Sequence, residues 1–235
     1  NVMNSTLARE SDAVIDLMAG PEIDVASTKA YTAELAALYL FTLYLAKIKW
    51  TLLDAEILEI IRQLKELPSL MKKALVNDKV IAECAEKYKN SNHILFLGRG
   101  LNYPTALEGA LKLKEITYVH ATGYPAGEFK HGPIALIDRH TPVICIAPQG
   151  PLYTKMMSNI EEVKARSGII ISIATEGDKN LRKFSDHTIE IPECDEMVSP
   201  FLAIIPLQLL AYKMAVNRGC DVDKPRNLAK SVTVE

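Results

Sequence analysis

The stretch His93-Ile94-Leu95-Phe96-Leu97-Gly98-Arg99-Gly100 runs a short apolar segment into a glycine turn, and the residues from Thr105 to Tyr118 then keep helical spacing. The pattern repeats downstream. Pro142–Ala147 reads as a strand, Tyr153–Arg166 as a helix, Ile169–Ala174 as a strand, Ser185–Ile191 as a strand, and Pro200 to about Asn217 as a long apolar helix. Runs this short and this rich in Ile, Val and Leu are what parallel strands covered on both faces look like. Their alternation with helices predicts βαβ crossovers and an α/β fold with a doubly wound parallel sheet.

Toward the N-terminus the last of these units has a counterpart. Ser11-Asp12-Ala13-Val14-Ile15-Asp16-Leu17 matches Ser185-Asp186-His187-Thr188-Ile189-Glu190-Ile191, with Leu7 and Leu181 each four residues before the Ser-Asp pair. Both segments read as a strand. Each is followed by a polar loop, a serine (Ser27 or Ser199) and a long apolar helix, the first running from Thr28 to about Trp50. Only ten residues precede Ser11. Residues 1–53 are therefore expected to be the C-terminal part of a preceding copy of the domain, 93–219 the complete copy, and 220–235 an irregular tail. Between the copies, 54–92 reads as a charged helical connector broken at Pro68 and again near Asn77-Asp78. Its Glu56, Glu59, Arg62 and Lys65 fall at helical spacing among Ile57, Ile60, Ile61 and Leu64.

The chain has 235 residues, with 27 basic against 29 acidic side chains and a net charge of -2. That balance gives no electrostatic basis for binding nucleic acid or an anionic membrane. The longest strongly apolar stretch read from the sequence, Leu35 to Ala46, is flanked by Glu34 and Lys47 and falls short of the ~20 residues of a membrane span. Cys84, Cys145, Cys194 and Cys220 form no CxxC pair, so no metal site is expected. Reduced thiols in a cytoplasmic protein are the expectation.

Chemistry in an α/β sheet is sought beyond the carboxyl ends of the strands and at helix N-termini. Gly98-Arg99-Gly100 fits either an anion cradle or a structural turn, since it lacks the rest of a dinucleotide or P-loop fingerprint. On the helix that follows, Glu108, Lys112 and Glu115 share one face, as a surface ion-pair ladder or as part of a site. Thr122 to Pro133 reads as a loop with three glycines, two prolines, Glu128, Lys130 and His131. Fixed turns with titratable side chains are where sites tend to lie.

Four segments carry a resemblance. Lys112-Leu113-Lys114-Glu115, Gly127-Glu128-Phe129-Lys130-His131-Gly132-Pro133, Ala19-Gly20-Pro21-Glu22-Ile23-Asp24-Val25-Ala26-Ser27-Thr28-Lys29-Ala30 and the closing Pro225-Arg226-Asn227-Leu228-Ala229-Lys230-Ser231-Val232-Thr233-Val234-Glu235 closely resemble the glucosamine-6-phosphate synthases, the isomerising glutamine:fructose-6-phosphate aminotransferases. The match extends over nearly the whole chain and falls on the isomerase portion, two sugar isomerase (SIS) domains in tandem. The resemblance implies that Lys230 forms a Schiff base with open-chain fructose 6-phosphate and that Glu115 moves a proton between adjacent carbons. It further implies that Lys112 assists at the terminal sugar oxygen and that His131 opens the ring from a neighbouring subunit of a homodimer. Val25, Ser27 and Ala229 match positions lining the sugar site. No metal or cofactor is implied, and glucosamine 6-phosphate is the product.

The departures from that pattern are also legible. The Ser/Thr-rich loop that grips the sugar phosphate in the first SIS domain does not precede Asn1, and the glutaminase domain that releases ammonia is absent, so the chain alone is expected to be inactive. Asp24 stands where the family usually has glycine. The alternatives are another SIS sugar-phosphate isomerase or deaminase, and a non-catalytic SIS module that only binds a phosphosugar.

Overall fold

The computed structural model describes residues 2–76 and 78–230. Eight helices are present among them: α1 (Thr6–Glu10), α2 (Lys29–Lys49), α3 (Asp54–Leu75), α4 (Asp78–Tyr88), α5 (Asn102–Thr117), α6 (Tyr153–Lys164), α7 (Lys179–Phe184) and α8 (Ser199–Asn217). Strands β1 (His93–Gly98), β2 (His120–Pro125), β3 (Pro142–Ala147), β4 (Ile169–Thr175) and β5 (His187–Ile191) form one parallel sheet in the order β2-β1-β3-β4-β5. The order reverses between β1 and β3, as in other doubly wound sheets. The sequence expectation of an α/β doubly wound domain holds.

Alternating side chains divide the strands between two apolar layers. On one face Ile94, Phe96, Ile144, Ile146, Ile171 and Ile173 pack against α4, α5 and α8. On the other, Leu95, Leu97, Val143, Cys145 and Ile170 pack against α6, α7 and a 3-10 turn at Ala126–His131. Burial on both faces is why β1, β3 and β4 are mostly apolar. Helices α5 and α8 meet closely at Gly109, where an added Cβ would lie 2.6 Å from Leu207 Cδ1 and 3.1 Å from Phe96 Cε1. Cys84 and Cys145 are buried and all four cysteines are free thiols. Burial pushes Cys84 up to about 12 and, with two acidic neighbours, Cys194 up to about 11, so neither is a ready thiolate.

Several expectations need correction. Residues 11–17 form no strand: Val14 and Ile15 are more than half exposed, and no strand lies beside them among the described residues to accept their backbone bonds. Pro68 does not break the connector, because α3 continues through it. Pro68 is exposed, so water can take the carbonyl its missing N–H leaves free, while buried Leu67 and Ala74 hold the helix on either side. Nor are α3 and α4 merely a connector, since Leu67, Ala74, Ile81, Cys84 and Ala85 belong to the core layer around α8. The second break, between Leu75 and Asp78, stands, though Asn77 lies outside the described residues.

The stretch from Thr122 begins not as loop but as β2, whose residues pair with β1 from His93↔His120 to Gly98↔Pro125. Gly and Pro in that strand are tolerated because it lies at the sheet edge. Finally, the longest apolar run is in α8 rather than at Leu35–Ala46. By length and composition α8 could cross a membrane, but it is the central core helix, buried from Ser199 to Leu207 without interruption.

Candidate active site

The inward face of α5 carries the first cluster. Lys112 is only 4% exposed, and its Nζ lies 2.7 Å from Glu115 Oε2 and 3.4 Å from Glu108 Oε1. Spacings of three and four residues bring the carboxylates to one ammonium, and the packing of α5 on α8 turns that face away from bulk water. The surface-ladder reading is therefore excluded for Lys112. A charge this buried needs partners on both sides. Burial pushes the Glu108 carboxyl above its ordinary range, and the neighbouring Lys112 offsets only part of that. Tyr31 of α2 is pushed up to about 12 by burial and by the charge of Glu108.

The second cluster joins the loop before α2 to the C-terminal tail. Val25 N–H donates to the Asp223 carbonyl at 3.2 Å. Arg226 N–H donates to Tyr118 Oη at 2.8 Å, and its guanidinium sits 4.1 Å over the Tyr118 ring. Lys230 Nζ lies 3.3 Å from Glu22 Oε2 and donates to the Asp24 carbonyl. Asp24 does not adopt positive φ, so an L residue is accommodated there without strain. The last residues of the closing motif, 231–235, lie outside the described residues.

A cavity of about 130 Å³ connects the two clusters. It is lined by Asp24, Ala26, Lys112, Gln208, Tyr212 and Asp223, among others. Lys112 thus forms part of one wall and the loop that holds Lys230 part of another. The space is smaller than the ~300–1,000 Å³ usual for a bound metabolite. Gln208 Nε2 is buried here without a partner. The signal for it was a single amide in the apolar run Pro206-Leu207-Gln208-Leu209-Leu210, which sequence reasoning passed over. Val25 and Ser27 alternate along the chain with Asp24, Ala26 and Thr28, which line the cavity, and Ala229 precedes Lys230 in sequence.

Two other candidates lie apart. His131 is exposed on the 3-10 turn that covers the opposite face of the sheet from α5, and it has no hydrogen bond or ion pair to Lys112, Glu115 or Lys230. Gly98-Arg99-Gly100 is a packing turn. A Cβ on Gly98 would overlap the Asn102 carbonyl, and Arg99 donates to Asn159 Oδ1 at 2.9 Å while lying against Gly127. The space beside it, about 20 Å³, has room for about one water. Among the described residues no group of His, Cys, Asp and Glu could hold a metal ion.

The SIS domain profile matches residues 87–218. The chain belongs to the SIS family. Over all 235 residues it is 52% identical to the isomerizing glutamine–fructose-6-phosphate aminotransferase of Thermus thermophilus, covering 100% of this chain and 39% of that protein. The chain thus spans about two fifths of the length of such SIS relatives. The solved C-terminal domain of glucosamine-fructose-6-phosphate aminotransferase from Francisella tularensis superposes with a TM-score of 0.90 at 44% identity, covering 95% of this chain and 63% of that one. A glucosamine-6-phosphate deaminase from Thermotoga maritima gives a TM-score of 0.74 at 25% identity, covering 99% and 65%. The SIS profile begins at residue 87, inside α4, and so takes in the five-stranded sheet with α5 to α8.

Proposed function

We propose that this chain is the sugar-isomerising portion of an aminotransferase that converts fructose 6-phosphate and glutamine-derived ammonia to glucosamine 6-phosphate. The observation that carries the reading is Lys112, buried between Glu108 and Glu115 and sharing a cavity with the loop that holds Lys230. Identity of 52% across the full chain to named aminotransferases supports it over the deaminase, which shares the fold at 25%. Residues 1–53 belong, on this reading, to a preceding SIS copy, and a glutaminase domain of the longer polypeptide supplies the ammonia.

Each side chain then has a task. The neutral Lys230 amine attacks the ketose carbonyl carbon; water leaves and a Schiff base forms. Ammonia displaces the lysine, leaving the nitrogen on that carbon. The Glu115 carboxylate takes the proton from the adjacent carbon and returns it to the nitrogen-bearing carbon, so the terminal carbon becomes the aldehyde. Lys112, 2.7 Å from Glu115, exchanges a proton with the terminal oxygen. His131, remote from this cluster within one chain, opens the sugar ring in a partner subunit of a homodimer. The chemistry needs no metal or organic cofactor.

The test is borohydride reduction of the full-length polypeptide in the presence of fructose 6-phosphate. Sugar attached to Lys230 is the expected product, and Glu115→Gln should lower glucosamine 6-phosphate turnover by about 10²-fold or more. Reduction that leaves Lys230 unmodified, or full turnover by Lys230→Ala, would overturn the reading.

A further inference from the structure

Glu22 has two oxygens with two different occupations. Oε1 accepts the backbone N–H groups of Thr28 at 2.9 Å and Ala30 at 3.3 Å, which caps α2, whose own N-cap residue Thr28 makes no side-chain cap bond. Oε2 faces Lys230 Nζ at 3.3 Å. The Glu22 side chain is 8% exposed and that of Lys230 49%, so a fixed, buried carboxylate holds a movable ammonium. Among the described residues Glu22 is the acid paired with Lys230.

We propose that Glu22 is a positioning residue for Lys230, anchored by α2 through one oxygen and holding the nucleophile beside the sugar cavity through the other. The proposal rests on Lys230 being the Schiff-base lysine. An ammonium has no lone pair with which to attack a carbonyl, so the pair must open, and its proton must leave, before the Schiff base forms. Glu22 therefore holds Lys230 in the pair until a sugar competes for the lysine. Burial works against the charged form of Glu22, but the two backbone donors and Lys230 outweigh it and hold the carboxyl below its ordinary range. It thus stays anionic throughout the neutral range. The other charged groups near the pair are Lys29, whose Nζ donates to the Pro21 carbonyl at 2.6 Å, and Asp24, Lys112 and Asp223 around the cavity.

Glu22→Gln separates the two occupations, because the amide oxygen can still cap Thr28 and Ala30 while the charge facing Lys230 is gone. In the full-length polypeptide at one neutral pH, borohydride should trap Lys230 with fructose 6-phosphate about threefold faster in Glu22→Gln, because no carboxylate then holds the ammonium in the pair, the modest size reflecting an exposed lysine. Thermal stability should change little in Glu22→Gln and fall in Glu22→Ala. An unchanged trapping rate in Glu22→Gln would show that Glu22 is a helix cap only and overturn the proposal. Absence of trapping at Lys230 in the unaltered protein is a different result, since it removes the Schiff-base reading itself.

Discussion

The units at 6–50 and 179–217 follow one local plan in two different surroundings. Each opens with a short helix, α1 or α7, that ends at a serine in extended conformation. In each, the serine Oγ donates to the leucine carbonyl four residues earlier, Ser11 to Leu7 at 2.6 Å and Ser185 to Leu181 at 2.9 Å. Beyond that point they diverge. The segment after Ser185 becomes β5 because β4 lies beside it, whereas the segment after Ser11 has no neighbouring strand among the described residues. Helix α8 is buried without interruption from Ser199 to Leu207 and exposes Tyr212 and Val216 only toward its end, while α2 leaves Leu38, Leu40, Phe41 and Tyr44 exposed along its middle. Local sequence sets helix ends and serine turns; a strand and a buried helix also require a neighbour.

Deleting the same side chain from both units should separate them most. Leu38 and Leu210 each lie eleven residues after the serine that precedes the helix (Ser27 and Ser199), yet Leu38 is 61% exposed and Leu210 only 1%. Leu210→Ala should cost about 2–5 kcal/mol and Leu38→Ala less than about 0.5 kcal/mol, read from urea midpoints. Similar costs at both sites would mean that α2 is covered in solution. A smaller contrast is expected at the turn. Ser185 also bonds the buried Ser172 Oγ at 2.7 Å, so Ser185→Ala should cost about 1–2 kcal/mol, while Ser11→Ala should be nearly silent.

The same division explains what could be read from the sequence. Strands β1, β3 and β4 are legible because burial on both faces makes them mostly apolar, β5 because Thr188 and Glu190 alternate with buried Ile189 and Ile191, and α5 and α8 because their runs are long. Strand β2 is not, since an edge strand can hold Gly123 and Pro125 and looks like loop. The strand expected at 11–17 was read from residues that do match β5, but its partner is not encoded in those residues. At the site, Lys112, Glu115 and Lys230 are reached through the family resemblance, and Lys112 and Glu115 also through helical spacing. Glu22 falls within a matching segment but its sequence surroundings give it no role, because its significance depends on a contact with Lys230, 208 residues away in sequence.

The finest contrast concerns pH. Asp186 and Asp12 follow the paired serines, but Asp186 Oδ2 accepts the Ile170 N–H at 2.8 Å and pairs with Lys164 at 2.9 Å, whereas Asp12 is exposed. Partial burial works against the Asp186 carboxylate, yet the lysine and the backbone donor outweigh it and lower its pKa. A carboxylate lowered on folding stabilises the native state above the unfolded value of about 3.9, and that contribution is lost as pH falls through the lower, folded value. Asp186→Asn should therefore be less stable than the unaltered protein at neutral pH, by about 1 kcal/mol or less because the pair is over a third exposed. The gap should close as pH drops below about 4. Asp12→Asn, at an exposed side chain, should leave stability at pH 7 nearly unchanged. Urea unfolding of both variants at pH 7 and pH 3.5 checks this, and a gap for Asp186→Asn that widened in acid would reverse the sign of the argument.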